Sequence, residues 1–276
     1  MPNKTLGPNE YRAFAEFLQK QSGIVLGDNK QYLVRSRLTP LISKHQQNNI
    51  TDLVKLSMSP SQHTLRNEVI EAMTTNETFW FRDVYPFELF KEQLLPELAQ
   101  LNKRTRVWSA ACSSGQEPYS LSMAVQEFRQ RNPGKLSHSL DIVATDIDSN
   151  MLSSAQNACY DSLAMARGLS AERTRQFFEP QADGKHKVNQ ATRSLVSFRR
   201  LNLLDSYLLM GKFDVIFCRN VLIYFSAESK RKILRQFAAA LNPGGYLMLG
   251  ASESMAQLSD EFEMKRFPNG IVYRKR

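Results

Sequence analysis

Between Arg106 and Ser120 the chain reads RVWSAACSSGQEPYS, and no other stretch limits its fold as much. Val107 and Trp108 fit a buried strand, while the small residues Ala110, Ala111, Ser113, Ser114 and Gly115 form a turn that lets a ligand approach the backbone closely. Pro118 suits the first turn of a helix that follows directly. A strand, a small-residue turn and a helix in succession make a cofactor seat. It is not the dinucleotide seat, because one glycine stands where G-x-G-x-x-G needs three, and Glu117 sits where a pyrophosphate would meet the helix N-terminus. A carboxylate there repels phosphate and favours a cation, although simple helix capping accounts for an acidic residue equally well.

The rest of the composition narrows the class. With 276 residues, 42% hydrophobic and 23% charged, the chain has the make-up of a soluble globular protein of one large domain or two modest ones. Cys112, Cys159 and Cys218 form no C-x-x-C pair, and His45, His63, His138 and His186 are scattered without ligand spacing, so neither a disulfide framework nor a metal site is expected. No apolar run approaches the roughly 18 residues of a membrane span, and the polar stretch MPNKTLGPNE lacks a signal-peptide core. The expected location is the cytoplasm, without direct membrane insertion. A net charge of +9 admits nucleic acid, an acidic membrane surface or an acidic protein as partner, and charge alone does not choose among them.

Apolar residues recur at helical spacing through residues 9–75, at Tyr11, Phe14, Phe17 and Leu18, then Leu33, Leu38, Leu41 and Ile42, then Leu65, Val69, Ile70 and Met73. An N-terminal helical domain over 1–75 follows. Arg35, Arg37 and Lys44 flank its second apolar stripe, either as a solvated face or as a docking surface for an acidic helix. Residues 76–103 read as a linker and a connecting helix around 86–100. From 104 to 276 strands at 105–110, 140–145, 213–218 and 246–249 alternate with helices at 118–130, 149–158 and 227–241, which predicts an α/β domain with a parallel sheet. The turn Asn242-Pro-Gly-Gly245 precedes the last of these strands, and a terminal hairpin is expected around Asn269-Gly270. The alternation breaks at about 161–201, where Val188, Leu195, Val196 and Phe198 suggest short strands of an inserted β-subdomain.

In a doubly wound sheet the ligand lies outside the carboxyl ends of the strands, so polar residues just past those ends are the candidates. Asp146 follows the second strand and can accept both hydroxyls of a ribose, while Asp148 reads as a helix cap. Asn202 and Leu203 could hold an adenine edge, and Arg219, Asn220 and Tyr224 follow the next strand. A ribose site beside an acidic, glycine-poor turn fits S-adenosylmethionine better than NAD, since that molecule has a ribose and adenine, no phosphate, and a cationic sulfonium. The run Asn220-Val-Leu-Ile-Tyr224 is not the N-P-P-Y-like motif expected for methylation of a planar nitrogen, which weakens a nucleic-acid-base substrate.

At these residues the chain resembles the CheR-type chemotaxis receptor glutamate methyltransferases. The resemblance spans nearly the whole length and rests on SGIVL and RSRL, TTNETFWFRD at 74–83, SAACSSGQEPYS at 109–120, ATDID at 144–148 and FDVIFCRNVLIYF at 213–225. It implies a Rossmann-like S-adenosylmethionine-dependent methyltransferase domain with an N-terminal helical domain and a small inserted β-subdomain. It also implies that Asn76, Thr78, Arg82, Gly115, Glu117, Asp146, Asn202, Leu203, Arg219 and Asn220 surround the methyl donor, with Arg82 and Tyr224 beside the transferred methyl. Trp80, where relatives usually carry Phe, and Gln116, where Glu is common, depart from the pattern without touching the cofactor residues. The implied partner is the cytoplasmic domain of chemoreceptors, through acidic methylation helices and, in some members, a C-terminal tail peptide; a monomer is expected. The competing readings are a sensor that binds the donor without turnover and an RNA methyltransferase.

Overall fold

The helical spacing of the first residues is realised as four α-helices, α1 Pro8–Ser22, α2 Gln31–Lys44, α3 Ile50–Met58 and α4 His63–Met73. The computed structural model describes residues 6–101, 103–255, 258–268 and 270–276, and the chain divides into two units, Met1–Thr75 with Tyr224–Ser229, and Asn76–Ile223 with Lys230–Arg276. In the helical unit Phe14, Leu18, Val34, Leu38, Leu53, Leu65 and Val69 are buried, as one apolar face per helix requires. Pro8 opens α1, and Gly23 closes it in the left-handed region at φ 80°, its N–H donating to the Gln19 carbonyl. The Asn49 side chain caps α3 by accepting from the Asp52 N–H. Phe225 forms a single antiparallel bridge with Ile24, and the Tyr224 carbonyl accepts from the Val25 N–H at 2.9 Å.

The second unit begins where a linker was expected, and the finding differs. Trp80, Phe81, Phe87, Leu89 and Phe90 are all buried in its main core, because a run this rich in aromatics stabilises the sheet far more by burial than by spanning solvent. The Trp80 ring meets Tyr160 and Phe178 edge-on at 4.8 and 5.1 Å, and its indole N–H donates to the Ala164 carbonyl. The helix expected around 86–100 consists of α5 Tyr85–Leu89 and α6 Leu95–Gln100, joined by a π-helical turn over Phe90–Leu94.

Next come β1 Thr105–Ala110, α7 Gln116–Arg131, β2 Leu140–Asp146 and α8 Ser149–Asn157. The interruption after α8 holds β3 Cys159–Tyr160, α9 Ser162–Met165, α10 Ala171–Phe177, β4 Phe178–Pro180, β5 His186–Val188 and α11 Gln190–Arg193, with a small antiparallel sheet in the order β3-β5-β4. The expected end of this insertion near 201 is corrected: β6 Val196–Arg200 pairs in parallel with β2 and forms the edge of the main sheet. Its partly buried Val196 and Phe198 pack on the large core from the edge of the main sheet. The chain closes with β7 Phe213–Cys218, α12 Ala227–Ala240, β8 Leu241–Leu249, β9 Phe262–Phe267 and β10 Gly270–Lys275.

The main sheet runs β6-β2-β1-β7-β8-β10-β9, its first five strands parallel and β10 antiparallel to both neighbours. Trp108 packs on Tyr207 and Phe237, and Phe217 on Phe87 and Phe90. Trp108 pairs with Ile216, so Phe217 points to the opposite face, and both faces of the sheet are covered. Two details differ from the sequence reading. The Asn242–Gly245 segment, expected as a turn, lies within β8, where a register shift between Phe213 and Val215 absorbs the extra residues as a bulge. The hairpin is formed, with Gly270 opposite Phe267, while Asn269 lies outside the described residues.

Candidate functional site

The strand order reverses direction between β1 and β7, which is where a doubly wound sheet opens its ligand crevice. Register then decides what lines it: Ala110 pairs with Thr145 on one side and with Cys218 on the other, so the turn after β1, Asp146 and Arg219 share one rim. Backbone conformations that L-residues rarely adopt concentrate on that rim, with positive φ at Ala111, Ser113, Asn220 and, in the preceding segment, Phe81, Asp83 and Val84. Gly115 has φ 95°, and a Cβ there would lie 2.9 Å from the Ala155 Cβ and 3.0 Å from the Tyr160 hydroxyl. Gly115→Ala is therefore expected to destabilise the protein by about 2 kcal/mol, from left-handed strain and crowding together. Urea unfolding measures it, and an unchanged midpoint would remove the packing argument.

Glu117 sits in the first turn of α7, mostly buried, and accepts from the Ser109 hydroxyl at 2.7 Å and the Arg219 guanidinium at 3.1 Å. Burial pushes its carboxyl above the usual range, and the Arg219 charge with these two bonds pulls it back. The sequence shows no cation near Glu117 along the chain, yet the fold supplies one from the end of β7. Arg219, its side chain 1% exposed, also donates to the Asp83 carboxylate at 2.6 Å and the Arg82 carbonyl at 2.7 Å. One buried guanidinium thereby ties the 82–83 loop to the α7 N-terminus.

Across the turn, the Asp146 carboxylate accepts from the Ser113 N–H at 2.7 Å and the Asp148 N–H at 2.9 Å. A carboxylate offers about four lone-pair sites, so room remains for two further donors. Asp148 is the α8 cap, accepting from the Asn150 and Met151 N–H groups and from the Asn76 side-chain amide at 2.7 Å. The Asn76 carbonyl accepts from the Ser113 hydroxyl, and Thr78 follows half-buried in the same segment. Asn202 turns the chain after β6 by accepting from the Leu204 N–H, and Leu203 is buried with its carbonyl accepting from the Tyr207 hydroxyl.

The fit to a polar, cationic molecule is tested by what the protein leaves unsatisfied. Among the described residues, Arg219 Nε and Asn220 Oδ1 are buried at this rim without a protein hydrogen-bond partner. Such atoms are costly unless a ligand or solvent meets them. The Glu117 carboxylate, the spare capacity of Asp146 and Asn220 Oδ1 are acceptors suited to ribose hydroxyls and a cation, and Arg219 Nε adds one N–H donor beside them. Arg82 is half-buried, donates to the Glu77 carbonyl at 2.9 Å and lies over the Phe79 ring. No carboxylate pairs with it among the described residues: Asp83 is taken by Arg219, and Glu88 by Lys91 and Arg173. No group of three His, Cys, Asp or Glu that could hold a metal occurs among the described residues.

Tyr224 is described with the helical unit, half-buried, its backbone held by Val25. Of the three expected docking cations in that unit, Arg35 is exposed and Lys44 pairs with Glu68 at 2.9 Å. Arg37 is corrected: its guanidinium donates to the Met73 and Thr74 carbonyls at 2.6 Å and to the Thr75 hydroxyl, closing the end of α4. Its charge serves the fold because the last carbonyls of a helix need donors.

The sequence reading missed Asp83 and Glu253. Glu253 lies just past the carboxyl end of β8 and accepts from four backbone N–H groups around Asn220. Its place just past the carboxyl end of a parallel strand, like that of Asp146, is the sequence signal that marks it.

Comparison with known proteins adds the family context. The model described as "CheR methyltransferase, SAM binding domain" matches residues 76–271, and "CheR methyltransferase, all-alpha domain" matches residues 9–74. A chemotaxis protein methyltransferase of Vibrio parahaemolyticus is 55% identical over 98% of both chains, and chemotaxis protein methyltransferase 1 of Vibrio cholerae is 54% identical over the same shares. Chemotaxis protein methyltransferase 1 of Pseudomonas aeruginosa is 53% identical over 96% of this chain and 97% of its own.

Proposed function

The chain belongs to the CheR methyltransferase family, and from that membership we propose that it esterifies glutamate side chains of chemoreceptors. The carrying observation is the Glu117 carboxylate, buried at the α7 N-terminus, with Asp146 holding the turn that leads into that helix. S-adenosylmethionine, when bound, supplies a methyl group on a cationic sulfonium, and its transfer to a carboxylate leaves a γ-methyl ester and S-adenosylhomocysteine. Glu117 would complement the positive charge of that molecule, Asp146 would take its ribose hydroxyls, and Asn202 with Leu203 would line the adenine. Asn76, Thr78, Gly115, Arg219 and Asn220 complete the proposed contacts.

A receptor glutamate with a pKa of about 4.3 is ionised at neutral pH, so no residue has to act as general base. The work of the site is then alignment, which can supply effective molarities of about 10⁵ to 10⁸ M. Arg82, without a carboxylate partner among the described residues, would orient the incoming carboxylate, and the Tyr224 hydroxyl would fix its approach. Arg82→Ala is expected to lower kcat by about 10²-fold, as misalignment by about an ångström does. Tyr224→Phe removes only a hydroxyl and should lower it less. Normal turnover in both variants, with donor affinity unchanged, would overturn the assignment.

Exposed Arg35 and the largely exposed Lys44 would meet an acidic methylation helix, and the open edges of the small β3-β5-β4 sheet suit strand addition by a receptor tail peptide. The enzyme is read as a cytoplasmic monomer. One experiment separates this function from its rivals: labelled methyl donor is offered with receptor cytoplasmic fragments or with RNA, and the product is tested for base lability. A base-labile ester on protein is the expected result. Label in RNA, or no transfer at all, would replace the proposal by an RNA methyltransferase or a donor sensor.

A further inference from the structure

We propose that Glu253 is a positioning residue of the methyl-donor site, its carboxylate filling a backbone nest that holds the Arg219–Leu222 bend in its working shape. β7 ends at Cys218, and the chain reverses at once through Asn220 at φ 59°. This bend points the N–H groups of Asn220, Val221 and Leu222 to one place, and the Gly250 N–H joins them from the end of β8. Glu253 Oε2 accepts from Asn220 at 2.8 Å and Gly250 at 2.7 Å, while Oε1 accepts from Val221 at 3.0 Å and Leu222 at 2.7 Å.

All four partners are donors, so both side-chain oxygens must be acceptors, and an ionised carboxylate alone among side chains offers that. An amide would turn an NH₂ toward two N–H groups. Close approach is built in as well: a Cβ on Gly250 would lie 2.7 Å from Glu253 Oε2 and 2.8 Å from the Asn220 nitrogen. The bend it holds carries Arg219, which grips Glu117 and Asp83, and Asn220, whose buried Oδ1 has no partner among the described residues. Glu253 thus acts through these two residues and need not touch substrate.

The nest has a second consequence. Successive inward N–H groups bind carboxylates, and under the proposed function both the receptor glutamate and the amino-acid end of the methyl donor carry one. An internal carboxylate in the nest denies them an unproductive berth.

This inference rests on the donor site of the proposed function, and its test uses readouts that do not need the receptor. Donor affinity is measured by calorimetry on the full chain for wild type, Glu253→Ala and Glu253→Gln, with circular dichroism to verify folding. The expected result is a loss of about 10- to 100-fold in both variants, since misplacement of positioned groups by about an ångström costs up to 10²-fold. With receptor fragments, the donor KM should rise more than the receptor KM. Sodium acetate should raise the thermal midpoint and restore donor affinity of Glu253→Ala, with sodium chloride at equal ionic strength inert. It should leave Glu253→Gln unrescued, because the amide still fills the space.

A folded Glu253→Ala with wild-type donor affinity, or with lowered stability but no response to acetate, overturns the proposal. Should Glu253→Ala fail to fold, Glu253→Gln carries the test, and normal donor affinity there is equally decisive. Wild type that binds donor yet methylates no receptor would sink the substrate assignment and leave the Glu253 result standing.

Discussion

Replacing Arg219 by methionine is expected to cost at least about 3 kcal/mol of stability, because breaking a buried ion pair strands the remaining charge. The stranded charge is chiefly that of Glu117, since its side chain is 13% exposed whereas Asp83 is 30% exposed and partly solvated. Solvent discounts the Asp83 share accordingly. The variant also loses the bond to the Arg82 carbonyl, which frees the loop that presents Arg82. Urea unfolding at constant m-value reports the loss.

Its pH dependence identifies the cause. In the native chain burial raises the Glu117 carboxyl pKa, with the Arg219 charge the largest opposing effect, so removing that charge raises it further. A carboxyl raised in the folded state binds more protons than the unfolded chain between the two pKa values, and stability then falls as pH rises. The deficit of Arg219→Met relative to wild type should be full above the raised Glu117 pKa and shrink as pH drops through it. A deficit that does not change with pH would point to lost packing over Phe87, which the guanidinium also covers.

Asp146→Ala should weaken donor binding by about 10³-fold. Two hydrogen bonds from ribose hydroxyls to a carboxylate contribute about 1.5–3 kcal/mol each, and about 1.4 kcal/mol is tenfold. The same carboxylate orders the turn after β1 through the Ser113 N–H and the loop before α8 through the Asp148 N–H. Asp146→Asn keeps one acceptor oxygen and the volume, so it should fall between the alanine variant and wild type. Calorimetry with the methyl donor decides: binding by Asp146→Ala within about tenfold of wild type would move the ribose elsewhere.

Much of the local structure around the proposed site was readable from the chain because it is made by neighbours in sequence. The run of small residues between Trp108 and Tyr119, with Glu117 inside it, is a strand-turn-helix whose backbone needs are met by neighbours, and β1 occupies the expected 105–110. Asp146 stood out because an almost continuously buried strand ends in it. The aromatic run from Phe79 to Phe81 was less readable, since burial there depends on Tyr160 and Phe178, which fold back from the insertion. Val196 and Phe198 looked like part of that insertion for the same reason: a short alternating strand carries no mark of which sheet it joins.

Sequence alone therefore pointed to the class of ligand, a cationic molecule with a ribose and no phosphate, through an acidic turn lacking lysine and arginine and an aspartate at the next strand end, and the resemblance to a methyltransferase family made that reading specific. It did not settle how that acidic turn is held. Arg219 is 102 residues from Glu117, and Glu253 is 33 from Asn220. These partners meet because β7 lies between β1 and β8, an order set by burying both faces of the sheet and invisible in any local pattern. In a crevice of low dielectric, the charge that sits next to a carboxylate governs its ionisation. That neighbour is chosen by the packing of distant strands.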